Sequence, residues 1–360
     1  MPKGQGRTLT SLVAGKLKRE ITTGRVKPGQ PLPSEDELCR KYGVSRVTVR
    51  RSLGRLRSER LVLSRPGVGH FVLPVSGSQT GSAGATDVLY VHDLGRTGGA
   101  PGPVSSAIFS GAIEESAKHG LDVMQCCLAP DRLRTIIQEK SESSLRGVLF
   151  DWNDPALARF MIGRGVPFVV VEGDFDNIPV AAVVQDDAAG TLAAMEHLAA
   201  HGHRRIAYLG LDDTWVHRRR RLAAFRQFHM SRNAALPEER VAFAPFQPTG
   251  DGRPEAQRLL AAPDRPTALY VANRELLAGA LEIAGELGLD VPGELSVVVW
   301  GDPEPGDAHP DVDFISWDRR EMGRMAVRVL ADRASRGERE RMQVLIPAKL
   351  EARGSTAEIG

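Results

Sequence analysis

Hydrophobic and polar positions follow two different patterns along the chain. In residues 32–71 the apolar positions are sparse, and Val49, Leu53 and Leu56 recur at the spacing of one helix face. Two short apolar runs then flank a glycine-rich turn at 65–69, which is typical of a hairpin. This part of the chain is predicted to form short helices followed by a two-stranded wing.

Capping residues indicate where these helices begin and end. Ser34 has Glu37 three residues later, which predicts a capping box at the start of the first helix. Gly43 marks the end of that helix, and Ser45 is placed to cap the next one. A winged helix-turn-helix is the arrangement that these signals predict.

The pattern changes after residue 87. Apolar runs of four to six residues alternate with amphipathic segments, which favours a doubly wound α/β domain with buried parallel strands. The predicted strands lie near 88–91, 121–124, 147–150, 167–171, 206–209, 268–271 and 295–300. The predicted helices lie near 106–119, 132–140, 155–164, 188–201, 217–231, 253–262, 275–288 and 320–335.

A small, polar, glycine-rich stretch separates the two patterns and has no apolar periodicity. We interpret it as a flexible linker. The sequence therefore predicts a winged helix domain at 1–74, a linker at 75–86 and a larger α/β domain at 87–356.

Arginines cover the predicted second helix opposite its apolar face. Arg46, Arg50 and Arg57 lie on that face, with Arg51 and Arg55 beside them. Such a helix suits the major groove, because a guanidinium pairs bidentately with guanine.

A solvated helix face is the alternative, and the charge distribution argues against it. Residues 1–73 hold 16 basic and 5 acidic side chains, whereas the remaining residues hold 31 basic and 40 acidic ones. The formal net charge of +2 therefore conceals a basic head and an acidic body, as expected when only the head contacts a polyanion.

The head resembles the DNA-binding domain of the GntR family over roughly residues 9–74. The matching segments are GRVKPGQPLPSEDEL, YGVSRVTVR and RPGVGHFV. The resemblance implies that Arg46 and Arg50 are recognition-helix arginines and that Thr48 contacts a phosphate.

The same resemblance places Gly67 and Gly69 at the wing tip. It also shows a departure, because Asp36 stands where many members carry an arginine that reads DNA. We expect that contact to be lost. The candidate DNA-binding residues are Ser34, Ser45, Arg46, Thr48, Arg50, Arg51, Gly67, Gly69 and His70.

The body resembles the effector-binding core of the LacI/GalR repressor family, which is similar to periplasmic sugar-binding proteins. The matching segments are VVQDDAAGTLAAMEHLAAHGHRRIAYLG, RPTALYVANRELLAGALEIAGELGLDVPGELSVVVW and the closing Arg-Gly-Ser-Thr. The resemblance implies two lobes joined by three crossovers. One lobe would take 87–184 and 318–336, and the other would take 185–316 and the C-terminal strand.

Matched positions also imply an effector site in the cleft between the lobes. Arg221 stands where the family grips ligand oxygens, and Glu172 matches a position that accepts hydroxyl protons. Trp317 falls near a crossover and offers an indole face to a sugar ring. Asn273 and Arg274 occupy the place of the family's Asn-Asp pair.

The exchange of that aspartate for Arg274 leaves the class of ligand open. If Arg274 and Arg221 both face the cleft, a carboxylate or phosphate on the ligand is favoured. If Arg274 turns outward to pair with Glu275 or Glu238, a neutral sugar fits better. The effector is therefore expected to be a sugar, a sugar acid or a sugar phosphate.

Other functional classes find less support in the sequence. A solute-binding transport component would need a secretion signal, and an enzyme with a DNA-binding appendage would need a catalytic or phosphate-binding motif. Neither is visible, and we expect no cofactor, no metal and no membrane segment. Three cysteines fit buried thiols in the cytoplasm. We predict a ligand-responsive regulator, a repressor of carbohydrate-utilisation genes, that binds palindromic DNA half-sites as a homodimer.

Overall fold

The structure is a computed structural model that divides into two compact units, residues 1–84 and 85–360. Each unit is described by itself. Gly67 and the predicted linker 75–86 lie outside the described residues. The described residues are 9–22, 32–58, 62–65, 69–72, 87–93, 103–139, 145–151, 154–212, 215–234, 236–245, 251–302, 309, 311–336 and 340–359.

Among its described residues, the first unit contains three helices and an antiparallel hairpin. The sequence predicted the second and third helices and the hairpin, but not the first helix. The pairing of the hairpin strands aligns position 62 with 72 and position 65 with 69. The elements are α1 (Leu9–Thr22), α2 (Glu35–Tyr42), α3 (Arg46–Ser58), β1 (Val62–Arg65) and β2 (Gly69–Val72).

Burial and capping in this unit follow the sequence signals. Val49, Leu53 and Leu56 are buried on one face of α3, packed against residues of α1, α2 and β1. Ser34 and Glu37 form the predicted capping box, each side chain bonding to the other's backbone N–H. Gly43 ends α2 with φ 64°, a left-handed conformation that costs glycine least.

The second unit has twelve strands and eight α-helices among its described residues. Its strands are β3 (Val88–Asp93), β4 (Val123–Leu128), β5 (Gly147–Phe150), β6 (Phe168–Val171), β7 (Ala181–Gln185), β8 (Ile206–Leu211), β9 (Val241–Ala244), β10 (Ala268–Val271), β11 (Ser296–Trp300), β12 (Asp313–Trp317), β13 (Met342–Ile346) and β14 (Ala348–Glu351). Its helices are α4 (Pro103–Lys118), α5 (Pro130–Glu139), α6 (Pro155–Arg164), α7 (Asp187–Ala200), α8 (Val216–Ser231), α9 (Arg253–Leu260), α10 (Leu277–Glu286) and α11 (Arg319–Arg336). Short 3₁₀ turns cover Glu238–Arg240 and Arg274–Leu276.

These elements form two lobes, each built on a six-stranded sheet. The first sheet has the order β13-β7-β6-β5-β3-β4, and its paired strands are all parallel. Residues of α4 and α11 pack on one face, and residues of α5 and α6 pack on the other. Helices on both faces explain why the central strands β5, β6 and β7 are buried almost throughout.

The second sheet has the order β14-β12-β11-β10-β8-β9 and is parallel except for β14. Residues of α7 and α8 cover one face, and residues of α9 and α10 cover the other. The two sheets confirm the doubly wound, two-lobed architecture that the sequence predicted.

The chain passes between the lobes three times, after β7, after β12 and between β13 and β14. The implied division is wrong at the C-terminus, where two strands lie instead of one. β13 pairs with β7 and completes the first sheet, and only β14 belongs to the second. The predicted strand list also lacks β7, β9, β12, β13 and β14.

The closing Arg-Gly-Ser-Thr has a structural role around Asp313, the first residue of β12. Asp313 Oδ1 accepts hydrogen bonds from the backbone N–H groups of Arg353, Gly354 and Ser355 at 2.6, 2.8 and 3.3 Å. Its Oδ2 accepts from the Thr356 hydroxyl at 2.6 Å. This carboxylate therefore fixes the C-terminal segment to the second lobe.

Candidate nucleic-acid interface and effector cleft

Both predicted recognition arginines are exposed and paired with carboxylates of α2. Arg46, 64% exposed, donates from Nε and Nη2 to the two oxygens of Asp36 at 2.8 and 2.9 Å. Arg50, 67% exposed, donates from Nε to Glu35 at 2.9 Å. Exposed pairs of this kind contribute little to stability, so these guanidinium groups are available to another partner.

The other candidate DNA-binding residues lie around the same surface. Ser45 Oγ accepts from the Thr48 backbone N–H at 3.3 Å and lies 3.0 Å from the Thr48 hydroxyl, so it caps α3. Arg51 is exposed on α3. His70 Nε2 lies 3.8 Å from a carboxylate oxygen of Glu35, which brings the wing strand β2 close to α2.

Val47 is a residue that the sequence argument missed. It is 59% exposed on α3, next to Arg46 and away from the buried face. An apolar side chain at such a position suits the methyl group of thymine. The sequence did offer a signal for Val47, because it is an apolar residue that does not belong to the buried series of Val49, Leu53 and Leu56.

In the second lobe, Arg221 is buried at the carboxyl ends of the strands. It is 4% exposed and donates from Nε to Asp187 Oδ1 at 2.8 Å, and from Nη1 to the Ala272 carbonyl at 2.7 Å. Its guanidinium also lies over the Trp300 ring, 4.1 Å from the centroid. Burial raises the pKa of Asp187, while Arg221 opposes that rise.

Next to Arg221, two tryptophan rings extend the group of packed side chains towards the crossover after β12. The rings of Trp300 and Trp317 lie 5.9 Å apart, and Trp317 packs against the hydrophobic clusters of both lobes. Arg319 lies over the Trp317 ring at 4.3 Å and forms an ion pair with Asp302. We use the name effector cleft for the residues at the carboxyl ends of the strands of both sheets. They include Asp187, Arg221, Trp300, Asp302, Trp317 and Arg319.

Buried polar atoms of the effector cleft lack a hydrogen-bond partner within the described part of the chain. Three are N–H donors, three are oxygen acceptors and one is a hydroxyl that does both. Unsatisfied buried groups are uncommon in folded proteins, so these atoms are candidates for hydrogen bonds to a bound ligand. They are Trp300 Nε1, Trp317 Nε1, Arg319 Nε, Gln185 Oε1, Asp187 Oδ2, Asp302 Oδ1 and Tyr90 Oη.

The first lobe contributes Glu172 and the buried pair of His92 and Asp151. Glu172 follows β6 with φ 59°, an unfavourable conformation for a non-glycine residue that tends to occur at functional sites. His92 lies between Asp151, 2.6 Å from Nδ1, and the Gln125 amide, 2.8 Å from Nε2. Because the amide donates to Nε2, the proton of a neutral His92 is on Nδ1 and points at Asp151.

The Asn273-Arg274 pair divides into two environments. Asn273 is buried, and its Oδ1 accepts from the Leu211 N–H at 3.1 Å, so its oxygen supports the backbone of β8. Arg274 is partly buried, and its side chain packs beside Gly301. Both residues lie at the carboxyl end of β10, as the resemblance implied.

Ion pairs connect the lobes beside the effector cleft. Asp174, on the first lobe, has a side chain that is 1% exposed and accepts from Arg220 of α8 at 2.8 Å. Asp174 also accepts from Arg341 and Gln343 of its own lobe at 3.0 and 2.8 Å. Arg219 pairs with Asp176 across the same boundary.

A cavity of about 740 Å³ lies elsewhere, at the amino ends of the first-lobe strands. Val88, Leu145, Pro167 and Arg164 are among its lining residues. Ligands of open α/β sheets bind at the carboxyl ends of the strands. This cavity therefore lies at the end of the first sheet opposite to the one where such ligands bind. Arg164 lies in the last turn of α6, where a basic side chain interacts favourably with the helix dipole, so its position has a structural explanation.

Metal and membrane sites find no support in the described residues. They contain no group of three or more histidine, cysteine or acidic residues placed to hold a metal ion. In the same ranges, no helix combines the length and the apolar character required to cross a bilayer.

Two family descriptions match the chain. "Bacterial regulatory proteins, gntR family" matches residues 9–72, and "Periplasmic binding protein-like domain" matches residues 195–356. The first falls on the described winged helix unit, and the second falls on the second lobe and the C-terminal strands.

Similar proteins combine or share these parts. The arabinose metabolism transcriptional repressor of Halalkalibacterium halodurans is 26% identical, with 98% of this chain and 97% of that protein covered. The transcriptional repressor PurR of Mannheimia succiniciproducens is 25% identical, with 71% and 78% covered.

Solved structures share the fold. The transcriptional regulator CelR in complex with cellobiose has a TM-score of 0.64 at 21% identity, covering 98% of this chain and 100% of CelR. A LacI family regulator from Mycobacterium smegmatis has a TM-score of 0.62 at 25% identity, covering 76% and 99%. With the winged helix, the two-lobed body and these likenesses together, the chain carries a GntR-family DNA-binding domain joined to a periplasmic-binding-protein-like domain and is a ligand-responsive transcriptional regulator.

Proposed function

We propose that the protein represses carbohydrate-utilisation genes and that a neutral saccharide in the effector cleft changes its affinity for operator DNA. The observation that carries the choice of ligand is the balance of unpaired cleft atoms, three donors, three acceptors and one hydroxyl. Sugar hydroxyls both donate and accept, so they match such a set better than a group that only accepts.

The aromatic rings support the same ligand class. Trp317 is partly exposed beside the unpaired atoms, and the indole face that Arg319 does not cover suits the apolar C–H face of a sugar ring. Trp300 is 2% exposed, with Arg221 over its ring, and lies next to Trp317. Relatives point in this direction too, since one is an arabinose metabolism repressor and one solved neighbour is a cellobiose complex.

Charge balance in the cleft weighs against the acid or phosphate that the sequence left open. Arg221 is matched by Asp187, and Arg319 is matched by Asp302. Each guanidinium charge is therefore compensated before a ligand enters. A sugar acid or phosphate remains the second candidate, supported by the position of Arg274 beside Gly301.

We also propose how the head contacts DNA, which oligomer forms and where the domains begin and end. Arg46, Arg50 and Arg51 would contact base edges and phosphates of one half-site, and a homodimer would bind two half-sites of a palindromic operator. The DNA-binding domain would span 1–74, the linker 75–86 and the effector domain 87–356, in the cytoplasm and without catalytic activity. Sedimentation of the full chain at micromolar concentration tests the homodimer, and a monomer would contradict it.

Calorimetric titration of the full chain tests the choice of ligand. The probes are matched pairs, L-arabinose with L-arabinonate and cellobiose with cellobionate. We expect one neutral member to bind and its acid to bind at least tenfold more weakly. Tighter binding of an acid, lost in Arg274→Ala, would overturn the neutral-saccharide proposal in favour of the second candidate.

A cleft variant separates binding at this site from binding elsewhere. Trp317→Ala removes a ring that contacts both lobes' clusters and should abolish the calorimetric signal. Arg164→Gln, in the distant cavity, is the matched control and should bind as the parent does. Saccharide binding that survives Trp317→Ala and is lost in Arg164→Gln would place the site in the cavity.

A further inference from the structure

We propose that Asp36 is a positioning residue for Arg46, holding the guanidinium in the orientation in which it pairs with guanine. This inference rests on the proposed DNA-binding function and adds a specificity-determining residue to it. It gives position 36 a role different from that of the DNA-reading arginine that the GntR resemblance would place there.

The geometry of the pair is the first argument. Asp36 receives the Nε–H and one Nη2–H of Arg46 through two parallel bonds of 2.8 and 2.9 Å. That edge of the guanidinium is therefore occupied. The remaining three N–H groups, on Nη1 and Nη2, form the end of the fork, which is the edge that pairs with O6 and N7 of guanine.

The location of the pair is the second argument. Asp36 lies in the first turn of α2, which the Ser34–Glu37 capping box fixes, and Arg46 opens α3. A long exposed side chain must lose rotamer freedom when it binds, and a restraint imposed beforehand reduces that cost. A carboxylate on a fixed helix turn supplies such a restraint to a planar guanidinium.

Charge is the third argument. The Asp36 carboxylate offsets the positive charge of Arg46, and it repels phosphate oxygens. Non-specific attraction to the DNA backbone grows with the number of uncompensated basic groups. Asp36 should therefore lower affinity for DNA in general while sharpening the preference for one base pair.

Glu35 and Arg50 provide the matched comparison in the same helix turn. Arg50 donates to both Glu35 oxygens from Nε alone, at 3.1 and 2.9 Å. The variants Asp36→Asn and Glu35→Gln each remove one negative charge from the first turn of α2. They should therefore change the long-range attraction between the head and the DNA phosphates by the same amount. They differ in which arginine is released, and Glu35→Gln also removes the carboxylate beside His70 of the wing.

Selection of bound duplexes from a random DNA pool, sequenced for the full-length parent and its variants at one salt concentration, tests the proposal. Asp36→Asn should keep the parent's motif but lose about 3–10-fold preference at one base pair per half-site, a part of the roughly 5–150-fold carried by a bidentate pair. Arg46→Ala should lose preference at that same base pair. Glu35→Gln should leave it unchanged, and both carboxylate variants should bind non-specific DNA more tightly than the parent.

The outcomes distinguish this inference from the function on which it rests. An Asp36→Asn motif identical to the parent's, or one altered at a base pair that Arg46→Ala leaves unchanged, overturns the positioning role alone. Equal loss in Glu35→Gln and Asp36→Asn at that base pair would reduce the effect to general charge and also overturn it. A parent that selects no motif would overturn the proposed function itself.

Discussion

Arginine–aspartate pairs occur in both regions of the molecule, but in opposite surroundings. In the head, Arg46 and Asp36 form a fork-shaped pair in which both side chains are about 60% exposed. In the body, Arg221 and Asp187 form a pair that is almost fully buried beneath Trp300. The residue types are the same, but the surroundings and the number of hydrogen bonds between the two side chains differ.

The difference decides what each arginine is able to do. An exposed pair contributes little to stability, and the end of its guanidinium that the carboxylate leaves open suits a DNA phosphate or base. A buried pair cannot lose one member without leaving an uncompensated charge in the interior. Arg221 is therefore part of the wall that shapes the effector cleft, while Arg46 is a contact residue held ready.

Breaking the buried pair should give the largest effect. Arg221→Ala leaves Asp187 buried without its partner and should lower the free energy of unfolding of the body by about 3–5 kcal/mol. All four tryptophans lie after residue 150, so tryptophan fluorescence during urea denaturation follows the body alone. The double variant Arg221→Ala/Asp187→Ala should recover part of the loss, and a single-variant loss under about 1 kcal/mol would contradict this account.

Asp313 provides a contrast to Asp187, because most of the hydrogen bonds to its buried carboxylate come from neutral donors and not from an arginine. Burial alone would raise its pKa, but hydrogen bonds from His197, Thr356 and the backbone N–H groups of Arg353 and Gly354 outweigh burial and hold the pKa below its ordinary value of 3.8. A depressed carboxyl pKa stabilises the fold above the unfolded value, and that stability is lost as the pH falls through the folded value.

Asp313→Asn should therefore destabilise the body at pH 7 by about 2–3 kcal/mol, the cost of charge-assisted bonds lost and donors left unsatisfied. The difference between variant and parent should shrink as the pH falls below about 4. Urea denaturation at pH 7 and pH 3 measures both values. A difference that stays constant between them would show that the charge of Asp313 contributes nothing.

Arg46→Ala should affect binding and leave stability almost unchanged. Loss of a bidentate contact should cost about 1–3 kcal/mol per site on the selected operator. Fluorescence anisotropy with a labelled duplex at fixed salt measures the change. If Arg46→Ala binds that duplex as tightly as the parent does, α3 is not the recognition helix.

The smallest effect belongs to the exposed pair itself. A double-mutant cycle of Asp36→Ala and Arg46→Ala, followed by thermal unfolding of the full chain in far-ultraviolet circular dichroism, should give a coupling of about 0–1 kcal/mol. A coupling near that of the buried pair would remove the distinction drawn between the two regions.

The sequence predicted the head more fully than the cleft, for a physical reason. Val49, Leu53 and Ser34 act within one short segment, so helix periodicity and capping rules place them directly. Trp300, Asp187 and Arg319 are brought together only when separate strands align their carboxyl ends. A single sequence carries no signal for that alignment, and the family resemblance supplied the cleft positions that were predicted.

Short and partly exposed strands were also beyond the sequence pattern. In β14 half-buried and exposed positions alternate over four residues, and in β13 only Ile346 is buried. These strands lack the continuous buried apolar run that identified β5, β10 and β11, which are equally short. Their pairing with β12 and β7 depends on the crossovers, which are properties of the whole domain.

The central claim is that a saccharide in the cleft controls DNA binding by the head. Its most direct test is the affinity of the full chain for its selected operator duplex at fixed salt, with and without saturating L-arabinose or cellobiose, in the parent and in Trp317→Ala. The account predicts at least a tenfold change in operator affinity with one saccharide in the parent and none in Trp317→Ala, which should still bind the operator. Saccharide bound in the cleft with operator affinity unchanged would contradict it.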